Sequence, residues 1–357
     1  MLFYLAYGEG TGMRLGRTRI GFFGVVGTRQ VVAAALALVT VTFFLPAASI
    51  PAQPMGVGEE EPLGELPLDR AAQTMASKDK GRAVRLLEKD GTVTDLTMEE
   101  YLWGVVAAEM PASFEEEALK AQACAARTYT VICQGASKHP EADICADSTC
   151  CQAYIARDAA EARWGLNAGS YSDKIQRAVE GTDGLGILYE GEPIQALFFS
   201  SAAGQTVDAV EVWGNSVDYL KSVDSPEGEE VPNYHSQVVL TAQQVKDAVL
   251  AAYPGADLSG DPGSWFGTPV CAQGETVSSI TVGGVTLTGG QVRSLFSLRS
   301  ATFTVDWDGE QFTFSVTGYG HGVGMSQYGA NAMAKEGSDF REILTWYYTG
   351  TEVTDLW

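Results

Sequence analysis

Hydrophobic patterning divides the chain into two textures. From Val31 to Ala48 the sequence carries no charge and is nearly continuous in Val, Ala, Leu and Phe, about the minimum length that crosses a bilayer. Beyond residue 82 apolar positions recur at helical or alternating spacing instead, which predicts a folded body. Ala83–Leu87 and Val93–Leu96 flank Asp90-Gly91, a short-range hairpin signal. Thr97-Met98-Glu99-Glu100 has the form of a capping box and opens an apolar helix that Pro111 stops. Ser113-Phe114-Glu115-Glu116 repeats the form and opens a longer helix reaching Gly135, whose Ala118, Ala121, Ala125 and Ala126 permit close packing. After residue 185 the pattern turns to strands (ILYEGEPIQALFFSS, SSITVGG, VTLTGG, ATFTVDWDGEQFTFSVTG), and helices return over Ser326–Lys335 and Phe340–Tyr348. The expected fold is mixed α+β, with a buried helical element against β structure lining a groove.

Charge refines the organisation. Arg14, Arg17, Arg19 and Arg29 face a single acid, Glu9, in the first fifty residues of a chain whose net charge is -22. A basic flank before an apolar run suits a cleaved signal peptide, for which Ala47-Ala48-Ser49 offers a site, or an N-terminal anchor with its basic end in the cytoplasm. The length of the front segment favours the anchor. The expected layout is a basic cytoplasmic segment 1–30, a transmembrane anchor or signal segment 31–50, an acidic Pro/Gly-rich linker 51–81 and an extracytoplasmic domain 82–357. Acidity of this degree repels a phosphate backbone and excludes nucleic acid as a natural partner.

Glu109 ends the first helix within VVAAEMP. Apolar neighbours and the negative helix end both disfavour its ionised form, which suits a general acid; an exposed helix-end residue is the alternative. Lys120 and Arg127 fall on one face of the second helix, as a salt-bridged surface or as a cationic stripe toward an anionic or polyhydroxylated ligand. Gly318-Tyr319-Gly320-His321-Gly322-Val323-Gly324-Met325-Ser326-Gln327-Tyr328-Gly329 fits neither a phosphate loop nor a dinucleotide fingerprint. Its alternating glycines allow a close backbone approach to a ligand and make His321 and Gln327 candidate polar groups.

The six cysteines are Cys124, Cys133, Cys145, Cys150, Cys151 and Cys271. His139, Cys145 and Cys151 are a ligand set suited to zinc, with Cys150 and Cys133 nearby; disulfides plus a surface histidine are the alternative.

Taken together, EEYLWGVVAAEMPASFEEEALKAQACAARTY, DICADSTCCQAY, ALFFSSAAGQT, VWGNSVDYLKSVDSPEG, LTGGQVRSLFSLRSATFTV and GYGHGVGMSQYGANAMAKEG followed by ILTWYYTGT resemble the stage II sporulation protein D family across about residues 82–352. The resemblance implies a peptidoglycan lytic transglycosylase of forespore engulfment, acting on glycan strands freed of stem peptides. It implies Glu109 as catalytic acid, His139, Cys145 and Cys151 as zinc ligands that shape structure or the cleft, and Lys120, Arg127, Tyr129, Ser200, Ser201, His321, Gln327 and Tyr328 as cleft residues. It further implies the sporulation amidase protein P and membrane protein M as partners, at the mother-cell membrane facing the intermembrane space. Related domains occur in amidase enhancers, so a non-catalytic wall-binding module is the competing expectation. A zinc-dependent hydrolase is a third.

Overall fold

The computed structural model describes residues 77–136 and 138–357. The expected cytoplasmic segment, the apolar run and linker residues 51–76 lie outside the described residues. Among the described residues, no helix is long and apolar enough to cross a membrane.

The body is mixed α+β, as the pattern predicts. Strands β1 (Ala83–Leu87) and β2 (Val93–Thr97) pair antiparallel about the Asp90-Gly91 turn, where Gly91 adopts φ 89°. Helix α1 (Met98–Glu109) follows, and Thr97 and Glu100 cap each other's backbone amides as the sequence predicts. Helix α2 (Glu116–Ala136) is the central rod; Ala118, Ala121, Ala125 and Ala126 are fully buried. Its start departs from expectation. Ser113 does not cap it; the Glu115 amide instead donates to Asn331 Oδ1 at 2.8 Å, a partner 216 residues away. Strand β3 (Ile144–Cys145) then runs parallel to β1.

Helices α3 (Arg157–Trp164) and α4 (Ala168–Glu180) pack beside α1 and α2 and lead into β4 (Leu185–Tyr189) and β5 (Glu192–Pro193). Strand β6 (Phe198–Phe199) and the short helix α5 (Ala209–Trp213) complete the first half. A second apolar cluster, centred on Val249, Val282, Val292 and Phe314, is built by β7 (His235–Thr241), α6 (Ala242–Ala252), β8 (Val270–Cys271), β9 (Val277–Val282), β10 (Val285–Thr288), α7 (Gly289–Leu295), β11 (Phe303–Trp307) and β12 (Gln311–Thr317). The chain then returns to the first cluster. Strand β13 (Met325–Ser326) pairs parallel with β6, helices α8 (Gln327–Lys335) and α9 (Phe340–Tyr347) pack on α2, and β14 (Glu352–Asp355) joins β4.

The boundary of the linker moves. Residues 77–81, acidic linker by composition, belong to the folded body, because Asp79 is 1% exposed and pairs with fully buried Arg127. The guanidinium grips this carboxylate through Nη2 at 2.6 Å and Nε at 3.0 Å, and its Nη1 donates to the Leu185 carbonyl at 2.8 Å. Burial raises the Asp79 carboxyl above its usual range, and the Arg127 charge opposes that shift. Removing one partner of such a pair leaves the other charge buried and uncompensated. Arg127→Ala is therefore expected to destabilise the fold by about 3–5 kcal/mol. Urea unfolding checks this, with a double Asp79→Ala/Arg127→Ala variant losing less than the sum of the singles.

Candidate active site and metal cluster

Glu109 is the last residue of α1 and is 9% exposed. Four carboxylates are buried among the described residues: Asp79, Glu99, Glu109 and Glu227. Asp79 faces Arg127, Glu99 faces Lys80 at 3.4 Å, and Glu227 accepts from the Ala202 amide and from the Ser225 and Ser326 hydroxyls. Glu109 meets neutral donors. The Ala153 amide donates to its Oε1 at 2.6 Å, and the Gln327 side chain, whose Nε2 donates to Gln122 Oε1 at 3.3 Å, is near enough to favour the charged form. Burial raises the Glu109 carboxyl above its ordinary value, and these two donors pull partly the other way. The outcome is a carboxyl biased toward its protonated form yet supplied with donors for its charge once the proton leaves.

The Ala153 amide is held by what precedes it in the chain. His139 Nε2 lies 3.3 Å from Cys151 Sγ and 3.8 Å from Cys150 Sγ, and the two sulfurs are 3.9 Å apart. With Cys145 Sγ, all four ligand atoms lie within 4.8 Å of one another. A tetrahedral ion with bonds of about 2.0 Å to nitrogen and 2.3 Å to sulfur spaces its ligands by roughly 3.5–3.8 Å, so this set fits one soft divalent ion. It does not fit a disulfide: the Cys150 and Cys151 sulfurs are 3.9 Å apart where a bond needs about 2.05 Å, and all six cysteines are free. Cys150 thus joins His139, Cys145 and Cys151 as a fourth donor, a closed shell where three donors leave room for water. Cys133 stands behind Cys151, and Tyr129 reaches Cys133. From Cys151 the chain passes through Gln152, whose side chain donates to the Tyr101 hydroxyl at 3.3 Å and the Thr130 hydroxyl at 3.2 Å, directly to Ala153.

The glycine-rich segment behaves differently from its expected ligand-facing role. A Cβ on Gly324 would lie 2.2 Å from the Leu197 carbonyl oxygen, and one on Gly320 would lie 2.6 Å from the Phe199 Cβ. The missing side chains let the segment pack on the protein's own 197–202 backbone. Both ring nitrogens of His321 are engaged: Nε2 donates to the Phe198 carbonyl at 3.1 Å, and Nδ1 accepts from the Val323 amide at 3.2 Å. Burial, aided by the Arg293 charge, lowers His321 from 6.5 to about 4, so it is a neutral brace of the segment.

The other expected cleft residues separate into groups. Gln327 meets Glu109, and Tyr328 packs edge-on against Phe114 with ring centres 4.9 Å apart. These rings line an open cleft of about 500 Å³ shared with Pro111, Asn331 and Lys335. Ser200 holds the Tyr328 amide at 3.0 Å through its carbonyl, and Ser201 is bridged to Tyr319. Lys120 is engaged by Glu117 at 2.6 Å, Tyr129 faces the cysteines, and Arg127 sits in the buried pair with Asp79. The two cations therefore do not form a shared stripe toward a ligand: Arg127 is inaccessible because its helix face is covered by residues 77–81. Sequence reasoning missed the Ala153 amide, Glu227 and the half-exposed Trp213, whose ring lies 5.8 Å from that of His321. No local signal marks Ala153 or Glu227.

In this α+β body a buried acid at a helix end is tied by one backbone amide to the segment that follows a Cys/His cluster, and Pro111, two residues beyond the acid, lines an open cleft. A family model described as Stage II sporulation protein matches residues 88–189, which span both Glu109 and the cluster. Stage II sporulation protein D of Bacillus subtilis (strain 168) is 38% identical over 267 residues, covering 74% of this chain and 76% of the relative. That of Bacillus amyloliquefaciens is 36% identical with the same coverage. The Amidase enhancer of Bacillus subtilis (strain 168) is 30% identical over 306 residues, covering 71% of this chain and 40% of the enhancer. The chain belongs to the stage II sporulation protein D family, a family of sporulation proteins.

The depressed His321 value has a signed consequence. Above 6.5 the residue is neutral in both folded and unfolded chains; as pH falls from 6.5 toward about 4, only the unfolded chain takes up the proton and stability falls. His321→Gln is expected to flatten this slope, measured by urea unfolding at pH 7 and pH 5. The wild-type imidazole is expected to remain neutral by NMR at pH 5.

Proposed function

We propose that this protein is a lytic transglycosylase cleaving the bond between N-acetylmuramic acid and N-acetylglucosamine in peptide-free glycan strands. The observation that carries the reading is Glu109 itself, a buried carboxyl with a raised proton affinity and no ion-pair partner among the described residues, two residues before Pro111 in the lining of an open cleft. Glycosidases that use water need a second carboxyl group. Among the other buried carboxylates of the described residues, Asp79 is paired with Arg127, Glu99 with Lys80, and Glu227 has its oxygens committed to Ala202, Ser225 and Ser326. A single acid suffices when the nucleophile is already in the substrate. Glu109 gives its proton to the glycosidic oxygen as that bond breaks. The resulting carboxylate, held by the Ala153 amide with Gln327 nearby, then accepts the proton of the sugar's own 6-hydroxyl as its oxygen closes the 1,6-anhydro ring. The intramolecular attack supplies a high effective concentration and dispenses with an activated water.

Zinc suits the donor set of His139, Cys145, Cys150 and Cys151, and a closed thiolate-rich shell assigns it a structural task. The cluster clamps the segment that carries Ala153 and so sets the hydrogen bond on Glu109. The apolar run at 31–50 would hold the domain outside the mother-cell membrane, with protein P and protein M as engulfment partners. A second reading, a non-catalytic module that enhances a wall amidase, is favoured by the 30% identity to the Amidase enhancer.

Mass analysis of digests of peptide-free glycan separates the readings. The wild-type chain is expected to release 1,6-anhydro ends, and Glu109→Gln to lose about 10²–10⁴-fold of that rate, the usual contribution of a general acid. Because a raised carboxyl value costs stability once pH climbs through it, Glu109→Gln is expected to melt no lower than wild type at neutral pH. Binding without any anhydro product from wild type would instead support the enhancer. For the cluster, elemental analysis is expected to find about one zinc per chain, and Cys150→Ser to weaken retention without abolishing it. Chelation is expected to inactivate slowly, in step with loss of structure rather than ahead of it.

A further inference from the structure

Gln122 is fully buried on α2, between the buried Ala121 and Ala123. Its side-chain Oε1 accepts from Gln327 Nε2 at 3.3 Å, a partner 205 residues away on α8, whereas its own Nε2 has no hydrogen-bond partner. An amide donor left unsatisfied in the interior is costly, and an apolar side chain of the same length would avoid that cost. The acceptor end is the one with a task, and Gln327 is what it serves.

The backbone around Gln327 is pinned without Gln122. The Ser326 hydroxyl accepts from the Gly329 amide at 3.2 Å, the Tyr328 amide donates to the Ser200 carbonyl at 3.0 Å, and Asn331 Oδ1 accepts from the Glu115 amide at 2.8 Å. None of these bonds decides how the terminal amide of Gln327 turns. That group carries a donor nitrogen and an acceptor oxygen at nearly equal reach, so a half-turn about its last torsion exchanges one for the other. The difference matters at Glu109, beside which Gln327 stands. A nitrogen there favours the carboxylate; an oxygen there repels it and accepts from the protonated acid instead. Glu109 takes part in no ion pair among the described residues, and its other donor is the neutral Ala153 amide, so no paired charge overrides the sign of this contact.

Gln122 removes the ambiguity. Its Oε1 can only accept, which selects the orientation with Gln327 Nε2 toward α2; the nitrogen has two hydrogens, and the one Gln122 does not take is left for the carboxylate. We propose that Gln122 is a positioning residue: by accepting one hydrogen of the Gln327 amide, it makes Glu109 face a donor rather than an acceptor. The proposal deepens the acid-then-base reading above and rests on it. It gives α2 a part in the second half of that cycle, when the charge left on Glu109 has to be tolerated until the 6-hydroxyl proton arrives.

Nitrogen-15 and carbon-13 NMR of the full chain tests this without substrate. In the wild type, the two Nε2 protons of Gln327 are expected to be resolved, and one of them to follow the Glu109 titration while the other stays nearly still. Gln122→Met, of the same length but with no amide acceptor, is expected to remain folded by thermal melting and to raise the Glu109 midpoint, a gain in proton affinity of about threefold or more. Gln327→Met is expected to raise it too, and the double variant to go no further than Gln327→Met alone, as members of one relay do. A Glu109 midpoint that Gln122→Met leaves unchanged overturns the proposal, and so does a double variant whose shift is the sum of the singles. If Gln122→Met fails to fold, the wild-type amide protons decide: an equal response of both to the Glu109 titration, or none, overturns it. No readout here needs glycan turnover, so anhydro product release judges the transglycosylase reading separately.

Discussion

The hydrogen bond from the Ala153 amide to Glu109 joins the segment that follows the cysteine cluster to the end of α1. A single residue, Gln152, separates Cys151 from the amide that grips the carboxylate, and it is anchored to Tyr101 and Thr130 on the helices. A cluster that fixes the 145–151 loop therefore fixes a donor on the acid. This arrangement gives a metal a task without placing it among the reacting atoms. It also explains why a closed shell of four protein donors serves better than an open one: rigidity is what the amide needs.

The acid itself balances opposed requirements. Burial makes Glu109 hold its proton, while the Ala153 and Gln327 donors make the charged form tolerable after the proton departs. Too much of either would end the proposed cycle, in which one group acts first as acid and then as base. The neighbouring segments support that balance without sharing the chemistry. Glu227 and His321 are consumed in tying the 197–202 strand to the returning chain, through Ala202 and Ser326 in one case and Phe198 and Val323 in the other. Glycines at 320 and 324 are needed for that same tight packing.

Features that depend on adjacent residues were legible in the sequence. The β1–β2 turn and the Thr97–Glu100 cap are local bargains between neighbours, and the apolar run before Pro111 was enough to expect that burial would hold the Glu109 carboxyl toward its protonated form. What failed were interactions closed by the fold. Ser113 looks like a cap, but the amide it would serve is taken by Asn331. Arg127 looks like a cleft cation because its partner, Asp79, lies in a stretch whose composition reads as linker. Cys150 looks spare because ligand sets are tetrahedra in space, and spacing along a chain does not reveal which of two adjacent thiols turns inward.

Membership in the stage II sporulation protein D family makes this a sporulation protein, and the geometry around Glu109 supports the chemistry proposed for it. The account turns on the proton affinity of that one side chain. A carbon-13 NMR titration of the labelled Glu109 carboxyl in the folded, metal-loaded chain measures it, assigned by its loss in Glu109→Gln. The account predicts a midpoint above the ordinary 4.5. A midpoint at or below that value would show an ionised acid with no proton to donate, and would contradict the account.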